Sequence, residues 1–516
     1  MLISISSAKC LGINALAVTV EVSVSNGIGI HLVGLADVAV KESLLRTVTA
    51  LQSLGFRVPG KKIVINLAPA DMHKRGSGYD IPIALGIIAA SEQLDMPDLD
   101  RYVIMGELGL DGTVRAVPGA LPIVEMAAER GFYGCILPLS NARETIECTG
   151  CRVFGVQTLK DVLAIVCRNP GYEQFSAGRL AVSHGWKIRT QTAAGGVMDF
   201  SEIVGQEGVK RALEIAAAGG HNIIMVGPPG SGKSSLAKAM CNILPPLTTK
   251  EAMQTSKIYS VAGKSLGNGF IRERPFRNPH TTTSIPALIG GGSDNISPGE
   301  ISLAHNGVLF LDEFCEIPKK TIEVLRAPME DKKIVISRLR TKVEYPSDFM
   351  LVAATNPCPC GYWGEADRCT CTPRERLNYI SKLSGPIMDR IDIAVWVHSV
   401  PPSALVGRQM AESSAVVAGR VGAAREIQRE RFRDEEGVFC NAQMSGKMLG
   451  KYCPLSKECT DFLELTATRC GLSARAFDKI IKIARTIADL ENSQIRLEHL
   501  AEAVSYRFLD KKEMRI

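Results

Sequence analysis

The sequence has no run of about 18 apolar residues, the length a helix needs to cross a bilayer. Its apolar stretch Ile81 to Ala90 is far too short for that. An export signal is missing too. Lys9 precedes an apolar stretch from Leu11 to Val20, but no small-residue cleavage site follows. Instead Val18, Val20, Val22 and Val24 alternate with Thr19, Glu21, Ser23 and Ser25 ahead of Asn26-Gly27. That pattern predicts a half-buried strand entering a tight hairpin. A strong excess of one charge is absent: +6 permits a polyanionic partner without demanding one. No internal repeat of fixed period is present.

Together these absences predict a cytoplasmic protein with no membrane partner. Its fifteen cysteines then read as reduced thiols or metal ligands, not disulfides. What is present fits that class. The chain has 516 residues, 46% of them apolar and 22% charged, which implies a soluble globular protein of two or three domains.

Residues 1–167 read as a mixed α/β domain. Its expected elements are the opening hairpin, a helix near Asp37 to Leu54, a strand Ile63 to Leu67 and a helix from Asp80 into Ser91. A second hairpin at Asp111-Gly112, a helix from Gly119 to Arg130 and strands near Ile136 and Val153 follow. Residues 168–198 gather Gly, Ser, Thr and Ala without periodicity, as a linker would. An α/β domain spans 199–398, and 399–516 reads as a helical lid, strongest at Arg420 to Arg433 and Ser473 to Leu490.

The chemistry centres on one loop. The apolar run Ile223-Ile224-Met225-Val226 feeds Gly227-Pro228-Pro229-Gly230-Ser231-Gly232-Lys233-Ser234-Ser235. This is a strand, then G-x-x-x-x-G-K-[ST], then a helix. Such glycines turn backbone N–H groups toward phosphate at a helix N-terminus. ATP is the expected ligand, with Lys233 reaching its outer phosphates and Ser234 ligating Mg²⁺. Downstream, Val308 to Leu311 runs into Asp312 and Glu313, placing one carboxylate at the metal and the next at the attacking water. A third apolar run, Met350 to Ala354, delivers Asn356, whose amide can orient that water.

These parts resemble the AAA+ superfamily. Asp199 to Gln206 is similar to its adenine-lining segment, which implies that Ile203 and Val204 contact the base. Ser-Gly-Pro-Ile-Met-Asp389-Arg390-Ile-Asp392 is similar to the arginine-finger element of the magnesium-chelatase and MCM branch. Gly471-Leu-Ser-Ala-Arg475-Ala resembles the sensor-2 motif. The resemblance therefore gives Arg390 and Arg475 catalytic roles, with Arg390 acting on a neighbouring subunit.

Arg-Pro-Phe-Arg277-Asn-Pro-His280, Gly290-Gly291-Gly292 and Pro298 through Gly307 resemble the helix-2 insert of that branch. The two alternating strands bearing Lys332, Lys333, Arg338, Arg340 and Lys342 look like its pre-sensor-1 hairpin. Nearly the whole chain resembles the ComM/YifB family. That implies a Lon-like α/β domain, a central AAA+ domain with a parallel sheet, a C-terminal helical lid, and a hexameric motor that branch-migrates DNA in natural transformation. One departure is His280-Thr281, where the family pattern has two histidines. In a ring, the five basic residues would form a collar suited to sequence-independent phosphate contact.

The sequence leaves two other functions open. A Lon-like domain can carry a Ser-Lys protease dyad, and Ser77 lies beside the nucleophile position, which Gly78 occupies. However, no lysine occurs between Arg75 and Leu159 to serve as base. Magnesium insertion into porphyrin is the other, which the fused Lon-like domain disfavours. Finally, Cys358-Pro-Cys360 and Cys369-Thr-Cys371 offer four thiolates to a tetrahedral Zn²⁺. Cys148, Cys151, Cys453 and Cys459 lack matching pairs and read as structural thiols.

Overall fold

The computed structural model describes residues 1–34, 38–70, 74, 76–186, 198–264, 269–292, 296–338, 341–365, 368–400 and 411–507. The opening strands β1 (Leu2–Leu11) and β2 (Asn14–Ser25) form an antiparallel hairpin that turns at Gly12, in the left-handed region at φ 63°. The opening hairpin is expected from the sequence to turn at Asn26-Gly27 instead, and no hairpin forms there. The chain leaves β2 there, but β3 (Ile30–Val33) pairs with β4 (Lys62–Ala68), and β4 occupies the place beside β2. Burial explains the exchange. Ile63, Ile65 and Leu67 of β4 are fully buried and need a central position, whereas β3 exposes His31 and Val33, as an edge strand can.

Beyond β1 the sheet continues through β5 (Tyr102–Ile104), in the order β3-β4-β2-β1-β5-β8-β9. Here β8 is Gly134–Pro138 and β9 is Arg152–Val156. The intervening β6 (Glu107–Leu108) and β7 (Val114–Arg115) make the hairpin expected around Asp111-Gly112. Helices α1 (Val38–Ser53), α2 (Asp80–Ala90), α3 (Ala120–Glu129), α4 (Leu139–Glu144) and α5 (Leu159–Val166) complete this Lon-like domain. Helix α2 is buried at every residue.

The stretch expected as a linker is partly folded. A turn at Tyr172–Phe175 leads into α6 (Ala177–Ser183), which buries Ala177 and Leu180 against the sheet. Two apolar residues one turn apart were enough to dock a helix despite the small-residue composition. Residues 187–197 of that stretch lie outside the described residues.

The next strands are β10 (Ile223–Val226), β11 (Phe276–Arg277), β12 (Gly290–Gly291), β13 (Ser297–Pro298), β14 (Val308–Leu311), β15 (Lys333–Arg338), β16 (Thr341–Pro346), β17 (Met350–Thr355) and β18 (Ile393–Trp396). Five make a parallel sheet in the order β11-β14-β17-β10-β18. Every residue of β10, β14 and β17 is buried, as strands covered on both faces require. Around them lie α7 (Glu207–Gly219), α8 (Lys233–Ala239) and α9 (Thr249–Val261).

The C-terminal helices Ser414–Arg431, Gly446–Tyr452, Lys457–Cys470, Ala474–Leu490 and Leu497–Ser505 share one core with α7. Val417, Val421, Ile480, Ile483 and Ile487 pack there with Ile215 and Ala216. Gln428 also donates to the Ala218 carbonyl at 3.0 Å.

The amino-terminal domain docks on the domain of the parallel sheet at two places. On α9, the Gly119 N–H donates to the Ser260 carbonyl at 2.9 Å, and the Ser260 hydroxyl donates to Glu144 at 3.2 Å. Lys257 pairs with Glu125 there, and Arg272 pairs with Glu147. At the second place the tip of the β1–β2 hairpin meets β16. A Cβ on Gly12 would stand 2.8 Å from the Glu344 carbonyl oxygen, and Leu11 and Ile13 pack on the core beneath that strand. Among the described residues no helix is long and apolar enough to cross a membrane.

Candidate nucleotide site

Parallel pairing aligns the ends of β10, β14 and β17, with Val226 opposite Thr355 and Leu311 opposite Ala353. The loops beyond these ends therefore converge, and ligands of open parallel sheets bind in that crevice. Gly227 needs to be glycine, because a Cβ would lie 2.2 Å from the Val397 carbonyl oxygen. Gly230 and Gly232 take φ of 76° and 88°, which curl the loop into α8.

Lys233 is buried, and its ammonium donates to the carbonyls of Gly227 (2.6 Å) and Pro228 (2.8 Å) and to Asn356 Oδ1 (3.2 Å). Burial pulls its pKa down to about 8, and the nearby Asp312 carboxylate opposes that shift. Its hydrogen bonds go to neutral oxygens, and among the described residues no carboxylate is bonded to it. Ser234 Oγ donates to Asp312 Oδ2 at 2.6 Å, and Asp312 Oδ1 accepts from the Glu313 N–H at 2.9 Å. A hydroxyl beside a carboxylate is an oxygen donor set that suits Mg²⁺. Glu313, in the left-handed region at φ 47°, is exposed next to this pair. The structure thus brings Lys233, Ser234, Asp312 and Asn356 together, with Glu313 alongside.

Ser231 closes the loop by donating to the Pro228 carbonyl at 2.8 Å, while Pro229 is exposed and Ser235 half-buried. Ile203 is buried and its carbonyl accepts from Lys210 at 2.7 Å, with Val204 half-buried beside it. The lid is tied to this segment. The Phe200 N–H donates to Ser414 Oγ at 2.8 Å, and the Ser414 N–H donates to Asp199.

The two arginines lie elsewhere. Arg390 pairs with Glu330, donates to the Pro386 carbonyl at 2.7 Å, and has a buried Nε without a partner. Arg475, in the first turn of Ala474–Leu490, stands 4.0 Å from Asp389. Both line a cavity of about 1360 Å³ that includes none of Gly227 to Ser235. Asp392 connects the elements that carry them. It accepts from Lys479 at 2.9 Å and from the Asn222 N–H at 3.0 Å, with His221 at 3.7 Å. Burial opposes ionisation of Asp392, but Lys479 and His221 outweigh it and hold the carboxyl far below the usual range. Lys479→Met is expected to cost about 3 kcal/mol in urea unfolding, because it strands a buried carboxylate. A change below about 1 kcal/mol would refute the pairing.

The hairpin is present as β15 and β16, in register from Lys333–Pro346 to Arg338–Thr341. Two of its five expected DNA contacts are already engaged within the protomer. Lys332 pairs with Asp348 at 2.9 Å and Lys333 with Glu344 at 3.2 Å. Arg338 and Lys342 stand exposed near the tip, and Arg340 lies outside the described residues. His280 is exposed and hydrogen-bonds only locally, to Thr282 at 2.8 Å. In the Lon-like domain the Ser77 hydroxyl donates to Glu107, itself 3.5 Å from Arg115, so a carboxylate faces that serine. The thiols of Cys358, Cys360, Cys369 and Cys371 cluster within 4.8 Å of one another.

The sequence left Glu330, Asp392 and Lys479 without roles. Asp392 had a signal in its motif, whereas a lone lysine on an amphipathic helix carries none.

Comparison with known proteins agrees with this architecture. The magnesium chelatase subunit ChlI family matches residues 199–405, its C-terminal family residues 411–507, and a further family described as subunit ChlI of Mg-chelatase residues 20–141. The uncharacterized protein YifB of Salmonella typhimurium is 42% identical over 513 residues, covering 98% of this chain and 97% of its own length. The competence protein ComM of Haemophilus influenzae is 40% identical over 508 residues, with 97% and 96% covered. An archaeal Lon protease of Methanocaldococcus jannaschii is 28% identical over 144 residues, 28% of this chain and 22% of its own.

Proposed function

Because this chain belongs to the ComM/YifB family of magnesium-chelatase-like AAA+ ATPases, we propose that it is a cytoplasmic, hexameric ring that hydrolyses ATP to move branched DNA in recombination. One observation carries the reading. Lys233, Ser234 and Asp312 gather on one loop cluster, while Arg390 and Arg475 line a cavity that excludes it. Head-to-tail stacking of protomers brings one set to the other, and a rotation that closes makes a ring.

In that ring Lys233 binds the outer phosphates, and Ser234 and Asp312 hold Mg²⁺, which neutralises phosphate charge when bound. Asn356 orients the attacking water, and Glu313 accepts its proton. Arg390 and Arg475 of the neighbour meet the charge that develops on the transferred group. The thiols of Cys358, Cys360, Cys369 and Cys371 hold a separate, structural Zn²⁺.

The DNA part rests on Arg338 and Lys342 at the hairpin tip and on kinship with a protein called a competence protein. Arg338→Glu with Lys342→Glu is expected to weaken DNA binding uniformly across sequences. It should also flatten the salt dependence by about 0.9 in logarithmic slope per lost phosphate contact. The deciding experiment compares ATPase rates with branched, duplex and single-stranded DNA. Stimulation strongest with branched DNA supports branch migration. No stimulation by any of the three would redirect the motor to another client.

A further inference from the structure

We infer that the four-cysteine loop is a zinc-held brace on the nucleotide loop, so that the metal sets ATP turnover from outside the phosphate site. The inference rests on the nucleotide reading of the Lys233 loop and the zinc reading of the four thiols.

The fit to metal comes first. Zn–S bonds of about 2.3 Å in a tetrahedron place neighbouring sulfurs about 3.8 Å apart. Here Cys358 Sγ is 3.3 Å from Cys360 Sγ and 3.8 Å from Cys369 Sγ, and Cys360 Sγ is 3.6 Å from Cys369 Sγ. The Cys360 N–H donates to Cys371 Sγ at 3.4 Å, the kind of bond that stabilises a thiolate ligand. All four are free cysteines, spaced too widely to be bonded as disulfides.

Position supplies the function. Asn356 is the first residue past β17, and Cys358 follows it by two. Asn356 receives the Lys233 ammonium at 3.2 Å. Gly361 turns the loop at φ 86°, and a Cβ there would lie 2.7 Å from Pro229 Cδ and 3.8 Å from Asn356 Cγ. The cysteine turn therefore touches both the amide that would aim water and the phosphate loop. Its far side is anchored as well. Trp363 packs edge-on against Trp396 of β18, with ring centroids 5.7 Å apart, and Arg376 lies 5.4 Å over the Trp363 ring.

Zinc joins the Cys358–Cys360 pair to the Cys369–Cys371 pair and closes this loop covalently. Its removal frees the loop to sample many conformations, at an entropic cost to the single one that supports Asn356. The four cysteines are positioning residues. Their loss should lower kcat through Asn356 while the direct phosphate contacts keep nucleotide affinity.

The test uses the full chain. Purified protein is assayed for zinc by elemental analysis, stripped with a thiol-directed mercurial, released with dithiothreitol, and then given back Zn²⁺. Cys369→Ser with Cys371→Ser is prepared in parallel. Expected are about one zinc per chain, a kcat at least about tenfold lower after stripping or substitution, and binding of a fluorescent ATP analogue within about threefold of wild type. Zn²⁺ should restore kcat to the stripped wild type and not to the double variant. Zinc-free wild type that hydrolyses ATP would overturn the metal reading. Zinc present, with kcat unchanged on stripping, would overturn the brace alone. Loss of far-UV circular dichroism on stripping would overturn it in favour of general support of the fold. Failure of the intact, zinc-loaded protein to bind the analogue would instead refute the nucleotide reading.

Discussion

Replacing Arg390 with alanine is expected to lower ATP turnover by about 10³- to 10⁵-fold, the range an arginine finger contributes, with nucleotide affinity nearly unchanged. The geometry explains the split. Arg390 lines a cavity apart from Gly227 to Ser235 and is held by Glu330 within its own protomer. In the proposed site the primary phosphate contacts fall to Lys233 and the loop amides, so loss of Arg390 should spare them. A mixing experiment separates action across subunits from local damage. Arg390→Ala rings and Lys233→Ala rings should each be inactive. Mixed rings should regain activity, because roughly one interface in four then joins an intact loop to an intact arginine at equal proportions. Activity that stays at the level of the separate variants would place the role of Arg390 within its own chain.

Glu313→Gln carries the second large effect, a fall in turnover of about 10²- to 10⁴-fold, as expected when a general base is lost. Here ATP should still bind, and bound nucleotide should persist. The adjacent carboxylates have different partners, which is why only one change acts this way. Asp312 accepts from Ser234 and from the Glu313 amide, so its loss should disturb the proposed Mg²⁺ site and binding together. Glu313 is exposed and free to meet water. Single-turnover quench-flow beside equilibrium binding checks the prediction. Equal losses in affinity and rate would assign Glu313 to binding and not to chemistry.

The features legible in the sequence were those whose signal is local. Ile223 to Val226, Val308 to Leu311 and Met350 to Ala354 are continuous apolar runs because parallel strands buried on both faces require them, and each hands a polar residue to the next loop. Helices α2 and α3 and the hairpin around Asp111-Gly112 likewise followed from periodicity and turn chemistry. Pairing between distant segments was not legible. The insertion of β4 beside β2 depends on relative burial of strands far apart in the chain, and period-two alternation carries no address for a partner. The same limit hid the ion pairs. Nothing in the basic stretch itself signals that Asp348 and Glu344 engage Lys332 and Lys333. Nor could any spacing rule reveal that Asp392 would join Lys479 and His221, because the three come from separate elements.

The contact between Gly12 and Glu344 carries a mechanical corollary. Two long paired strands run from that tip into the middle of the amino-terminal sheet. In a ring, a force that displaced Lys342 would therefore be felt in the Lon-like domain without crossing a flexible joint. Removing the first 167 residues would then do more than delete an accessory module: it would unload one side of the strand that carries Lys342.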